Sequence, residues 1–331
     1  MVRGLDSGRR FRFGLWIVAL LALLWRLAVS GEIASGRFAG SIFQPSPATD
    51  LRTYMDLSRC IIDGTFSGPF YYQPFYYAFF LPCCRILGGG SVWMVIGVQA
   101  LLGALTAVLT GLTAARLAGR RAGMTAALVT AFLTPLVFYT PFHQIAGLQS
   151  FNLALLAFLA VRAVRRRRIG WDLALGAVAG VAVLTRGNML LVALPLFLFL
   201  GAAEWRRSSW RHAVMCFTVM VLAMLAVEAP FMIYNSLQLG RLAGPSTAAD
   251  AVLALGNTPE APPGGRNPGL PAGPMEYPAA YHEWMATAAE RPVIGRVFEW
   301  LRAEPAAFLE LTFRKLLLFW DYREIPNNVA L

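Results

Sequence analysis

The sequence predicts an all-α integral membrane protein with about seven transmembrane helices. Three observations predict it. The 331 residues are 57% hydrophobic and only 14% charged, against roughly a quarter charged in soluble domains. Several apolar stretches are long enough to cross about 30 Å of hydrocarbon. The arginines, finally, fall in short runs between those stretches. A formal charge of +11 would suit nucleic acid if the cations clustered on a polar domain; spaced between spans they read as topology signals instead, so nucleic acid is not an expected partner.

The first span runs from Phe13 to Ser30, behind Arg3, Arg9, Arg10 and Arg12. A secretory signal peptide starts in the same way, but this run is long, contains Arg26, and carries Trp16 and Trp25 as interfacial anchors, so it reads as a retained helix. Six further spans fall near 91–114, 122–140, 145–161, 171–186, 188–203 and 213–234. The stretch 72–88 is also apolar, but it holds Pro74, Pro82 and Arg85 and ends in Gly88 to Gly90, which suits a helix lying at the interface. The arginines test that choice. With 72–88 outside the bilayer, the basic N-terminus and the runs at 116–121, 162–168 and 206–211 all share the cytoplasmic side, as the positive-inside rule requires. With 72–88 spanning, the runs at 116–121 and 162–168 would move across.

This topology, for a multi-pass protein of the cytoplasmic (inner) membrane, makes 1–235 a seven-span module with an extracytoplasmic loop at 31–90. Residues 236–331 form a second extracytoplasmic region. Its early part, "GNTPEAPPGGRNPGLPAGP", has too much proline and glycine for regular structure. From 290 to 320 a helical pattern of Leu309, Leu311, Phe313, Leu316 and Leu317 among Glu310, Arg314 and Lys315 predicts an amphipathic helix on the membrane surface. Cys60, Cys83, Cys84 and Cys216 form no CxxC or Cys/His pattern of a metal site.

The unusual polar residues gather at the outer level. Asp50 and Asp56 lie in the first outer loop, His143 and Gln144 in the turn between spans three and four, Arg186 in the turn between spans five and six, and Glu228 about two turns from the outer end of span seven. A carboxylate beside an arginine at this level suits a reaction in which the acid takes a proton from an acceptor and the cation steadies a departing phosphate. Blander roles exist for each. Asp50 can cap the helix that runs on towards Gly64, Arg186 can snorkel, His143 can be a turn residue, Glu228 can pair with a neighbouring helix, and the aromatic run "FYYQPFYYAFF", which includes Tyr76, can be an interfacial belt or a surface for stacking a sugar. The run Arg165 to Arg168 is a topology anchor.

Several stretches together resemble the GT-C superfamily of integral membrane glycosyltransferases, in particular the bacterial polyprenyl-phosphate-sugar-dependent group that includes protein O-mannosyltransferases and lipid A aminoarabinose transferases. "TDLRTYMDLSRCIIDGTFSGPFYYQPFYYAFFLPCCRILGG", from Thr49, resembles the family's first outer loop. "LTRGNMLLVALPLFL", from Leu184, resembles its turn with a basic residue at the outer end of a span. "EAPFMIYNSLQLGRLAGPS", from Glu228, resembles the exit "P-W-x-x-R-N" from the seventh span, with Phe231 and Tyr234 in place of its tryptophan and arginine. "LALGNTPEA" resembles the "G-N-N-P" loop, with Thr258 in place of the second asparagine, and "FRKLLLFWDYREIPNN" the segment before the next span. In the turn between spans three and four, His143 and Gln144 stand where the family often has a second acid.

The resemblance implies inverting transfer of a hexosyl or pentosyl group from a polyprenyl-phosphate donor to an extracytoplasmic acceptor, a lipid, a glycan or a polymer of the cell envelope. It implies Asp50 as general base and Arg186 at the donor phosphate, with Asp56, His143, Gln144, Tyr76 and Glu228 as further substrate-binding candidates. No cofactor is implied with certainty, and use of a divalent metal is open. Family members usually continue with further spans beyond the "EIPNN"-like segment, so a C-terminally truncated member, inactive without a partner, is one alternative. A non-catalytic transporter or flippase of lipid-linked sugars is the other; it predicts a polar path between leaflets, whereas no ionisable residue lies at the midpoint of any span.

Overall fold

The structure is a computed structural model that describes residues 2–47, 49–166, 168–263, 277–288 and 290–320, with the side chains of 2–7 and 166 left aside. Most of the proline- and glycine-rich segment from 264, Arg167 of the four-arginine run, and the "DYREIPNN" segment from 321 lie outside the described residues. The described residues form helices and no strand. They divide into two compact units, Met1–Ser246 and Thr247–Leu331.

In the first unit α1 (Val2–Ser35) is followed by a short α2 (Ala39–Phe43) and by α3 (Asp50–Ile62). A π-helix, Tyr76–Phe80, runs into α4 (Leu81–Leu87). Then come α5 (Val92–Phe132), α6 (Thr134–Phe138), α7 (Ile145–Arg166), α8 (Ile169–Thr185), a 3₁₀ turn Gly187–Met189, α9 (Leu190–Arg207) and α10 (Trp210–Leu239). Among the described residues, five helical stretches are long and apolar enough to cross a membrane: Gly8–Ser35, Val92–Phe132, Ile145–Arg165, Gly187–Arg207 and Trp210–Leu239.

The second of these is two crossings. Gly119, at φ 90° and ψ 168°, breaks α5 in a region of backbone space that essentially only glycine enters, and the chain folds back on itself. A Cβ at Gly123 would lie 2.6 Å from the Gly111 carbonyl, and one at Gly111 would lie 2.8 Å from Ala127 Cβ, so glycines let the two halves close. The 17-residue α8 is apolar but shorter, and it packs along α10. Counted this way, seven helical segments match the spans expected from hydropathy. The π-helix and α4 together cover Tyr76–Leu87, about 18 Å at 1.5 Å per residue, too short to cross.

Two packing features fix how the helices lie against one another. Arg26 of α1 is wholly buried; its guanidinium donates to the carbonyls of Ala131, at 2.7 Å, and Thr130. Those carbonyls belong to the last turn of α5, where they lack helical partners and carry the negative end of the helix dipole. Gly103 makes room for this arginine, because a Cβ there would sit 2.4 Å from its Nε. Between α8 and α10, Gly176 and Gly180 lie directly on the backbone carbonyls of Met220 and Met224, the small-residue spacing that lets membrane helices approach closely. That register runs in parallel, so Glu228 falls level with Leu184, just before Arg186.

The aromatic run is more core than belt. Tyr76, Tyr77, Phe80 and Leu81 are buried together with Tyr54 of α3, Val95 of α5 and Leu148 of α7, while Tyr71 and Phe79 stay exposed. A π-turn carries one more residue than an α-turn, and such bulges often sit at functional sites.

The second unit contains α11 (Ala249–Gly256), α12 (Ala279–Ala286), α13 (Val293–Ala303) and α14 (Pro305–Phe319). The single amphipathic helix expected over 290–320 is therefore split. Pro305 takes a first-turn position of α14, and the residue before a proline is driven out of the helical region. Ala254, Val293 and Val297 form one small core of this unit, and Ala261, Trp300 and Leu311 another. Leu309, Phe313, Leu316 and Leu317 remain exposed along α14.

Candidate active site

The site is built on α3 and on the loop between it and the π-helix. α3 buries Leu51, Tyr54, Met55 and Ser58, a one-face spacing, and so fixes its own rotation on the core. Thr49 occupies the cap position with extended backbone and makes no side-chain cap bond; its hydroxyl donates instead to Ser46 O at 2.7 Å. Asp50 is thus the first helical residue rather than the cap, half-buried at the edge of the buried face. A carboxylate in this first turn is favoured by the helix dipole.

Tyr54 donates its hydroxyl to Gln73 Oε1. Its ring stacks on Tyr72, with centroids 6.4 Å apart and planes 11° from parallel. Gln73 has φ 50°, a left-handed conformation that costs a non-glycine residue energy, and more so just before a proline. The strain is held by its surroundings. Asn235, near the C-terminal end of α10, accepts from Phe70 N–H at 2.6 Å and donates to the carbonyls of Phe70 and Gly244. Ser246 donates to Tyr71 O. Phe231 and Tyr234, which replace the tryptophan and arginine of the exit motif, close on the Phe70 ring at 5.0 and 4.8 Å.

Arg186 arrives from the other half of the module. It ends α8 with extended backbone, its N–H on Ala182 O and its carbonyl accepting from Met189 N, and its side chain is exposed. Its charge and that of Asp50 act on the same two phenols. Burial first, then Asp50, raise Tyr72 above the usual phenol range, and Arg186 pulls it back. Tyr54 is raised in the same order by burial and Asp50 and is likewise lowered by Arg186. A carboxylate, a guanidinium and two protonated tyrosines are therefore within electrostatic reach of one another, though Asp50 and Arg186 are remote in sequence.

The other expected residues are placed differently. Asp56 is held by Arg52 at 2.7 Å and by Arg59 at 3.6 Å, all on α3. It shares the field of Arg59 with Arg85. Tyr76 is wholly buried, and its hydroxyl donates to Gln99 Oε1 at 2.9 Å. Gln99 in turn donates to the carbonyls of Thr140 and Phe142, at 2.7 and 2.9 Å, so Tyr76 braces the turn that carries His143 rather than offering its hydroxyl to a cavity. Gln144 is half-buried and immediately precedes α7, with its N–H on Phe142 O at 2.8 Å. Glu228 is 5% exposed, and its Oε1 has no hydrogen-bond partner. Among the described residues, no group of three or more His, Cys, Asp or Glu side chains is placed to hold a metal ion.

His143 is 1% exposed, and its Nδ1 lacks a partner. Burial, then the charges of Arg85 and Arg59, push it down to about 4, so it is neutral at pH 7. The unfolded chain takes up a proton near 6.5 that the folded chain refuses until about 4. Stability from this group is therefore complete above 6.5 and is lost as pH falls towards 4, by roughly 3 kcal/mol. Thermal unfolding in detergent between pH 7 and 4 is expected to show that loss, and His143→Phe is expected to flatten it. An unchanged slope in the variant would show that His143 takes no part.

A family model for dolichyl-phosphate-mannose-protein mannosyltransferase matches residues 72–234. This stretch is a GT-C superfamily domain. The match covers just under half of the chain and supports a membrane glycosyltransferase of the GT-C type. No curated protein matches the chain. The matched GT-C stretch begins at Tyr72, next to Gln73, and ends at Tyr234, next to Asn235; it includes Arg186, while Asp50 lies before it. Gln73 and Asn235 are the residues that the sequence reading passed over. Their signals were a polar residue ahead of proline inside an aromatic run, and the asparagine that closes the exit motif.

Proposed function

We propose that this protein transfers a sugar, with inversion, from a polyprenyl-phosphate donor to a hydroxyl or amine acceptor on the extracytoplasmic side. What supports the reading is one observation: Asp50 and Arg186 act on the same pair of tyrosines. In this mechanism Asp50 accepts the acceptor's proton as its oxygen or nitrogen attacks the anomeric carbon. The bond from that carbon to the phosphate oxygen breaks, and the electron pair leaves on the lipid phosphate, where Arg186 offsets the growing charge. Tyr72, kept protonated and only half-buried, is a donor for the sugar or the phosphate, while Tyr54, whose hydroxyl is held by Gln73, fixes the position of the Tyr72 ring. Asp56, already held by two arginines, serves the shape of α3, and Tyr76 with Gln99 holds the outer turn. The donor lipid is of the kind named in the family description, a dolichyl or similar polyprenyl phosphate.

Donor class is the first test. Membranes containing the full chain are given sugars labelled either on a polyprenyl phosphate or on a nucleotide, with synthesis of the lipid carrier blocked. Transfer from the lipid-linked pool alone is expected. Transfer from the nucleotide sugar under that block would sink the proposal. Arg186→Gln is expected to slow transfer by about 10²-fold or more, with binding of the uncharged acceptor much less affected.

A further inference from the structure

The end of the bundle away from Asp50 carries a second feature. α9 separates Arg186 from Arg207 by roughly 30 Å at 1.5 Å per residue. There, a groove of about 400 Å³ opens between α9 and α10, lined by Leu198, Gly201, Trp205, Trp210, Val214 and Phe217. Its walls are almost wholly apolar. Trp205 and Trp210 are both largely exposed, the placement of aromatic residues at a membrane–water boundary.

The charges that flank the groove in sequence are of one sign. Arg206 follows Trp205 and Arg211 follows Trp210, with the Arg211 guanidinium over the Trp210 ring; Arg207 turns to a separate small cavity. The nearby acids face elsewhere: Glu204 lies by His212, and both line that cavity with Asp172 and Cys216. In the other basic runs, two arginines are used internally. Arg116 lies over Phe158 and donates to Leu112 O, and Arg162 lies over Phe158 and Trp171. Arg207 donates to Val164 O. Arg211 covers only the ring of its neighbour Trp210, and Arg206 makes no hydrogen bond or ion pair among the described residues.

We infer that this groove holds an acyl chain of an anionic phospholipid, whose phosphodiester is bound by Arg206 and Arg211. A topology signal needs only charge in a loop; it needs neither an apolar groove beside the charge nor two tryptophans at its sides. Basic pockets between membrane helices are the usual seat of acidic headgroups. Gly201 lines the groove, and a Cβ there would meet its nearest neighbours at 3.8 and 3.9 Å, ordinary contact, so the base of a side chain is admitted and a longer one extends into the groove.

The full chain, purified in mild detergent, is offered phosphatidylglycerol or phosphatidylcholine of equal acyl composition, and retained lipid is read by native mass spectrometry. Retention of phosphatidylglycerol by roughly tenfold or more over phosphatidylcholine is expected. Arg206→Gln with Arg211→Gln is expected to remove the preference, and Gly201→Leu to remove retention of both lipids. Equal retention of the two lipids by the wild type overturns the inference, as does retention unchanged in Gly201→Leu. Inorganic phosphate alone is the remaining arm, and thermal stabilisation by it equal to that by phosphatidylglycerol would assign the arginines to a free anion instead. Should the double arginine variant fail to fold, the wild-type comparison and Gly201→Leu still decide.

Discussion

Replacing Asp50 by Asn is expected to lower sugar transfer by about 10²- to 10⁴-fold, the usual worth of a positioned general base, while the protein still folds. Asparagine keeps the size and planarity of the side chain but cannot take the acceptor's proton. The structural cost is small: Asp50 is the first residue of α3, and loss of its charge there forfeits about 0.3–1 kcal/mol of dipole stabilisation. Asp56→Asn on the same helix provides the contrast. Asp56 is about half exposed in its ion pairs, which are worth about 0–1 kcal/mol, so transfer is expected to stay within a few-fold of wild type. Initial rates in membranes with matched protein levels distinguish the two. An Asp50→Asn enzyme that retains a tenth of the activity or more would remove Asp50 from the role of base, and an equal loss in both variants would point to a defect of α3 as a whole.

The largest expected loss of stability belongs to Gly176→Ala. A Cβ at this position would stand 2.2 Å from the carbonyl oxygen of Met220 and 2.8 Å from Ala223 Cβ. The first obstacle is backbone, which cannot swing aside like the end of a side chain, so α8 and α10 must separate. Overpacking of this sort costs about 1–3 kcal/mol and occasionally more, and the separation would also displace Arg186, ten residues along α8. Gly97→Ala in α5 is the matched control. Its Cβ would meet nothing within 4 Å, and alanine is the better helix former by up to about 1 kcal/mol, so that variant is expected to be neutral or stabilised. Thermal unfolding of the two proteins in the same detergent gives the comparison, and a Gly176→Ala protein as stable as Gly97→Ala would refute the close packing of α8 on α10.

What was legible in the sequence follows from the distance over which each signal acts. Hydropathy and arginine placement are read over windows of about twenty residues, and the spans they predict are the helices found, including the turn that separates the two halves of α5. Asp56 was legible in the same way, because Arg52 and Arg59 stand four and three residues from it, the spacing that meets on a helix. Tyr76 was not. Whether an aromatic residue faces lipid, sugar or core depends on what packs over it, here Tyr54, Val95 and Leu148, which come from three separate helices. Nor does any local pattern reveal that Gln73 is strained or that Asn235 clamps the segment before it, since the partners of Asn235 at Phe70 lie far back in the chain. The pairing of Asp50 with Arg186 had only the topology and the family resemblance behind it; their common effect on Tyr54 and Tyr72 is a property of the folded chain alone.

The buried Arg26 also bears on how the protein is made. Its acceptors, Ala131 and Thr130, are synthesised about a hundred residues after it, at about 5–20 residues per second. Until they emerge, α1 enters the bilayer with a charge whose insertion penalty is about 2.5–3.5 kcal/mol near the centre of a helix and less towards its end. The nascent α1 is therefore expected to sit where its guanidinium can still reach headgroups and water until the returning half of α5 presents its free carbonyls. The first helix is then expected to reach its final depth only after the third crossing has been made, and a chain cut short of Thr130 is expected to hold it nearer the boundary.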